Sequence, residues 1–203
     1  MEMPKTLWLR RQVKKFPTHL LELPDFLTFM ATGDMTRSKC SLVCKFNYVA
    51  ADDQSRQLTE GWCNHFLEAI GLGDMDTVCL GSSVVDPGTR ISQGLCESAA
   101  AALGLPRGTA VGASLIDAHS AALGVLGAGL ASAGDVGVRW LERMAVVAGT
   151  SNCFMTLSPT PIEVRGIWGP YMSAIVPGLH CNEAGQSAGG LFLSHVLDHP
   201  AMS

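Results

Sequence analysis

The chain has 203 residues, 47% of them hydrophobic and 16% charged, with a formal net charge of −4. That composition supplies a sizeable core and excludes a disordered chain. The acidic balance argues against nucleic-acid binding, which calls for a basic surplus.

Pro4 stands where a helix begins, and the apolar spacing over 4–15 predicts a first helix. Lys5, Arg10, Arg11, Lys14 and Lys15, five of the 14 basic residues, crowd into it. They read as a solvated face with Leu7, Trp8 and Val13 as apolar anchors; a transit peptide or a phosphate-binding arm is the alternative. "LPDFLTFMATG", 23–33, predicts a short helix stopped by Gly33. Residues 34–45 are polar, with a turn of helix around "RSKCSLVCK". Leu58, Trp62, Phe66 and Ile70 recur every four residues and predict a helix over 55–70, closed by Gly71. "DPGT" at 86–89 is a turn, "CESAAAALG" a helix ending at Gly104, and "TAVGASLI" a buried strand.

The Ala-rich stretch after Asp117 predicts a closely packed helix, and 127–142 reads as a linker or insertion. "RMAVVAGTSNCFMTLS" predicts a hairpin with a tight, Gly-led turn, and a last helix is expected over 185–197. The order of elements makes the class mixed α/β. The seven cysteines are odd in number and form no CxxC pair, which suits reduced thiols in a cytosolic protein. The longest uncharged stretch with apolar content, Ala118–Gly134, is shorter than the ~20 residues that span a bilayer, so no membrane segment is expected.

Three places could carry chemistry. Asp117 follows an apolar run and precedes a helix. A carboxylate there can take a proton from a substrate hydroxyl, but aspartate is also a favoured helix cap, and the local sequence favours the cap. The turn of Gly149, Thr150 and Ser151 offers hydroxyls and backbone N–H groups to an anion, or is an ordinary hairpin turn. Glu183 could hydrogen-bond a polyol, or favour the N-terminus of a following helix.

The same stretch holds "GQSAG", which fits the G-x-S-x-G elbow of a serine hydrolase around Ser187. That reading is set aside because "PGLHCNEA" is not expected to be the strand an elbow needs. The one later acid, Asp198, and the histidine after it, His199, also stand almost at the end. No metal site is expected: His195 and His199 are four apart without the glutamate of H-E-x-x-H, and Cys63 and His65 have no second pair.

Taken together, "ELPDFLTFMATGDMTRSKCSLVCKFNY", "SLIDAHSAALG", "VAGTSNCFMTLSPTPIEVRGIWGPY" and "VPGLHCNEAGQSAGG" resemble the FGGY carbohydrate kinases, in particular their ribulokinase-like pentulose kinases. The resemblance runs collinearly over most of the chain and is weakest across 50–62 and 127–142. It implies an actin-like, ribonuclease-H-like α/β fold, incomplete here. Residues 1–140 would be the later part of a first, sugar-binding domain, and 141–203 the opening of a second, ATP-binding domain.

It implies an ATP-dependent kinase acting on a ketopentose such as D-ribulose, with Mg²⁺ neutralising nucleotide charge, in the cytoplasm. The partners would be sugar and ATP, without nucleic acid or membrane, and a homodimer is admissible. Asp117 aligns with the family's catalytic base, Gly149–Thr150–Ser151 with the loop meeting the γ-phosphate, and Lys45 and Glu183 with sugar-contacting positions. Phe46, Phe154 and Ala184 stand where close relatives have Trp, His and Gly, departures expected to retune the sugar pocket. The family's opening D-x-G-T-x-S loop and most of its adenosine domain have no counterpart among these residues. The chain alone is therefore expected to turn over little, and a non-catalytic isoform or remnant that only binds sugar or a partner is the alternative.

Overall fold

A computed structural model describes residues 2–53, 57–128 and 140–199. The chain divides into two compact units, with the division between Ile116 and Asp117.

The first unit is mostly helical: α1 (Met3–Gln12), α2 (Leu23–Thr32), α3 (Lys39–Phe46), α4 (Asn64–Ala69) and α5 (Glu97–Leu103), with a 3₁₀ turn at Thr77–Leu80. Two short strands, β1 (Arg37–Ser38) and β2 (Val84–Val85), pair in parallel. Met3, Leu42, Phe46, Leu67, Leu72 and Leu80 form its core, with Leu7, Leu20 and Trp62 packed against them. The expected stops hold: Gly33 and Gly104 take the left-handed conformation that ends α2 and α5. The Asp86–Thr89 turn closes with Thr89 N–H donating to Asp86 C=O at 3.1 Å.

Four expectations need correction. Trp8 is exposed rather than an anchor; Met3 and Thr6 are the buried residues of α1. The turn of helix at 37–45 is a full helix, α3. The Ser38 hydroxyl caps its start by accepting from Cys40 N–H, and Asn47, left-handed, ends it.

The helix predicted over 55–70 shrinks to α4. Leu58 pairs with Asp53 and Gly61 with Val49 in antiparallel bridges, and Gly61 sits at φ 131°, outside any helix. Trp62 is oriented by its indole N–H, which donates to Gly81 C=O at 3.0 Å, and not by a helical stripe. "TAVGASLI" is not a buried strand. It runs beside 88–95 through bonds such as Ile91 N–H to Val111 C=O, but the pairing is a single bridge and only Ala113 is buried. The facing segment interrupts a regular ladder with left-handed residues at Gly88, Ser92 and Gly94.

A buried ion pair ties the first unit together. Arg37 Nε donates to Asp25 Oδ2 at 2.7 Å, with both side chains 1% exposed. Asp25 Oδ1 accepts from Ser38 N–H and the Ser114 hydroxyl, so one carboxylate joins α2, β1 and the 109–116 segment.

The second unit is a four-stranded antiparallel sheet in the order β3 (Met144–Ala148), β4 (Asn152–Ser158), β6 (His180–Gln186), β5 (Trp168–Met172). Helix α6 (Asp117–Gly127) packs on β3, and α7 (Gly190–Leu197) follows β6. The small residues of α6 allow close packing, with His119, Ala122 and Leu126 as its buried stripe. The expected hairpin is present in the β3–β4 register, which leaves 149–151 as the turn. The expected linker falls largely outside the described residues: α6 occupies 127, and 129–139 are not described. The last helix is shorter than expected because 180–186 is a strand, hydrogen-bonded on both edges to β4 and β5.

Candidate functional site

Asp117 is the first residue of α6 and is exposed. Its Oδ1 accepts from the adjacent Ala118 N–H at 2.8 Å, so the carboxylate meets one of the unpaired N–H groups of the first turn. The cap and the base are therefore compatible roles for one side chain.

The 149–151 turn is exposed and held from two directions. Gly149 N–H donates to Ser151 C=O, so that group is engaged within the turn and an anion would meet Thr150 and Ser151 instead. The carbonyls of Thr150 and Gly149 accept from Gly189 and Gly190 N–H at 2.8 and 3.0 Å. Beside this clasp Asn152 Nδ2 donates to Gln186 Oε1 at 3.3 Å. A Cβ on Gly189 would stand 2.4 Å from Asn152 Oδ1 and 2.8 Å from Gly149 O. Gly189→Ala is expected to push the two turns apart, at a cost of about 1–3 kcal/mol. Urea denaturation checks that cost, and changed amide shifts at Thr150 and Ser151 report the opening. The clasp was missed in the sequence, where "SAGG" reads only as a flexible helix start.

Glu183 lies in the middle of β6, opposite Met155 of β4 and Trp168 of β5, and not at a helix N-terminus. Its Oε2 is 3.8 Å from Nε2 of His119, which is 2% exposed in the first turn of α6. That contact brings the Asp117 end of α6 next to the Glu183 strand. Glu183 is three residues from Gln186, so the clasped turn lies about 10 Å farther along the strand.

Lys45 belongs to the first unit. It sits in the last turn of α3, half-buried, with its backbone C=O accepting from Glu2 N–H at 2.9 Å. Its charge acts on Glu22. Burial pushes that carboxyl above the usual range and Glu2 adds to the effect, while Leu23 N–H and Lys45 oppose it. A raised carboxyl favours folding below its ordinary pKa and loses that contribution as pH rises through the folded value. Glu22→Gln is thus expected to melt slightly above the parent at pH 7, by well under 1 kcal/mol since solvent screens the group, and to match it at pH 4. Thermal melts at the two pH values check this.

The three departures fall in different settings, Phe46 in the first unit and Phe154 and Ala184 in the second. Phe46 is 3% exposed in the first unit's core, with the Arg37 guanidinium 5.4 Å from its ring. Phe154 and Ala184 are direct register partners, and both line a cavity of about 390 Å³ with Thr156, Asn182 and Ile162. Strand alternation puts that face opposite the Glu183 face.

The ground for setting aside the hydrolase also changes. A strand does precede "GQSAG", but it lies inside an antiparallel sheet, and Ser187 is not among the residues with positive φ. The strained elbow that exposes a nucleophile is not formed. Among the described residues no group of three His, Cys, Asp or Glu could hold a metal ion, and no helix is long and apolar enough to cross a membrane.

Residues 144–202 match the C-terminal domain of the FGGY family of carbohydrate kinases. FGGY carbohydrate kinase domain-containing proteins of Danio rerio and Homo sapiens are 46% and 43% identical to the chain over 96% and 97% of its length. The chain belongs to the FGGY family. It spans 36% of each of those two relatives. A D-ribulokinase of Saccharomyces cerevisiae is 35% identical over the whole chain, which covers 31% of that protein. The ligand-bound xylulose kinase of Lactobacillus acidophilus matches 96% of the chain with a TM-score of 0.70 at 14% identity, over 35% of its own length. The xylulose kinase of Rhodospirillum rubrum gives a TM-score of 0.63 at 18% identity, over 95% of the chain and 36% of its own. The fold is thus that of part of the FGGY sugar kinases, the incomplete actin-like α/β fold expected from the sequence.

Proposed function

We propose that this chain carries the base and part of the phosphate and sugar sites of an ATP-dependent kinase that phosphorylates a ketopentose such as D-ribulose. The observation that carries the reading is the assembly within the second unit. Asp117 stands exposed at the start of α6, and Glu183 is held beside that helix through His119. The exposed Thr150–Ser151 turn joins β3 to β4, the strand that pairs with β6. The D-ribulokinase relative supports the choice of sugar.

The Asp117 carboxylate accepts the proton of the attacking sugar hydroxyl. That oxygen bonds to the γ-phosphorus as the bond to the β–γ bridging oxygen breaks, giving sugar phosphate and ADP. Thr150 and Ser151 hold the transferring group by hydroxyl and N–H donors, and Glu183 accepts from sugar hydroxyls through charge-assisted bonds. On the resemblance of "SLVCK" alone, Lys45 is proposed as a further sugar contact. Magnesium, when bound, neutralises phosphate charge. Such an ion is commonly held by one or two carboxylates together with phosphates, so with no three-residue cluster among the described residues the nucleotide would supply most ligands. The family division is proposed at 140, just before the FGGY C-terminal match at 144, whereas the compact units divide at Asp117 because α6 packs on β3. A cytoplasmic location follows from the supply of ATP and free pentulose.

The test is calorimetric titration of the chain with D-ribulose and related pentuloses, alongside ADP release in their presence. Binding with slow ADP release is expected. Binding without ADP release makes the chain the non-catalytic sugar binder. Absence of both, with every pentulose, overturns the reading.

A further inference from the structure

The stripe of α6 that faces the sheet is made of His119, Ala122 and Leu126, at 2%, 0% and 0% exposure. Packing alone would be served by another alanine or leucine at 119. An imidazole there is costly unless a polar group meets it. The group that meets it is Glu183, whose Oε2 lies 3.8 Å from Nε2 and whose side chain is 14% exposed. Glu183 shares its sheet face with Cys181, and its cross-strand partner is Met155; both are fully buried. A carboxylate among such neighbours has few orientations that keep one oxygen in reach of solvent.

We propose that His119 is a positioning residue: it holds one Glu183 oxygen and thereby presents the other to a ketopentose hydroxyl beside the Asp117 end of α6. The proposal rests on the sugar-site reading above and deepens it. Because His119 and Asp117 share the first turn of α6, one contact sets both the orientation of the sugar-binding carboxylate and its placement relative to the base. A geometric tie of this kind governs reaction rate more strongly than the energy of the contact itself, since misplacement of reacting groups is costly.

The test has two parts. In chain labelled with ¹³C-glutamate, the side-chain couplings of Glu183 are expected to show one rotamer in the wild type and averaging in His119→Leu. Averaged couplings in the wild type overturn the proposal without any variant having to fold. In titrations with D-ribulose, His119→Leu is expected to weaken binding about tenfold, through loss of the one close polar contact that orients the carboxylate. His119→Gln, which keeps an N–H donor, should recover most of it. His119→Leu combined with Glu183→Gln should bind no more weakly than Glu183→Gln alone. Wild-type affinity in a folded His119→Leu chain overturns the proposal. If the wild type binds no ketopentose, the sugar assignment falls, and the couplings still decide whether His119 fixes the carboxylate.

Discussion

Asp25→Ala is expected to destabilise the first unit by about 3–5 kcal/mol, because it leaves a charge buried without its partner. Arg37 is fully buried and Asp25 is 1% exposed. The carboxylate accepts from Arg37 Nε on one oxygen and from Ser38 N–H and the Ser114 hydroxyl on the other. Arg37 Nη1 also donates to Leu20 C=O at 2.8 Å and to Leu80 C=O. Deleting the carboxylate strands a guanidinium that cannot shed its proton, together with two donors. Replacing both charges by apolar residues removes that penalty, so Asp25→Leu with Arg37→Met should be less destabilised than the sum of the single changes. Urea midpoints and m-values of Asp25→Ala, of the single changes Asp25→Leu and Arg37→Met, and of their combination decide it. An Asp25→Ala chain within 1 kcal/mol of the parent would show that the pair is solvated in solution.

The parts of the fold that were legible in the sequence are those fixed locally. Helices α2 and α5 announce themselves because a left-handed glycine stops each one next to its last turn. The β3–β4 hairpin is read from two apolar runs around a Gly-led turn, a signal contained within neighbouring residues. What was not legible depends on partners far along the chain. Arg37 and Ser38 look like surface residues but are buried, since Asp25 supplies their bonds from another helix. The four-residue recurrence of Leu58 and Trp62 imitates a helix, although Asp53 and Gly81 set their positions. Strand β6 is polar and contains glycine, so only its pairing on both edges makes it a strand.

The same division runs through the candidate site. Asp117 and the 149–151 turn stand out because the chain conformation at each is set by its immediate neighbours. Glu183 stands out as a lone carboxylate, but the glycines after it suggest a helix start, and nothing marks the His119 that meets it. Nothing in "DAHSAALG" tells which side of the helix will meet a carboxylate. The glycines of "SAGG" likewise gain meaning only when Gly149 and Asn152 crowd Gly189.

Asp117→Asn separates the two roles that this aspartate can hold. Asparagine is nearly isosteric and caps helices as well as aspartate does, so the acceptor for Ala118 N–H survives the exchange. Asp117 is exposed, which leaves no buried charge to be lost. The expected thermal stability is therefore that of the parent, within about 0.5 kcal/mol. The amide cannot take a proton from a sugar hydroxyl. Phosphoryl transfer to D-ribulose should fall about 10²–10⁴-fold, the usual contribution of a positioned general base, while the affinity for the sugar should change little because Glu183 and Lys45 are untouched. Because the rate expected of this chain is low, the measurement is single-turnover release of ADP with protein in excess over ATP. A variant that folds, binds D-ribulose and releases ADP at the parental rate would leave Asp117 as a helix cap alone. A loss of rate with unchanged stability would assign it the proton as well, since an effect through the helix end would have appeared in the melting curve.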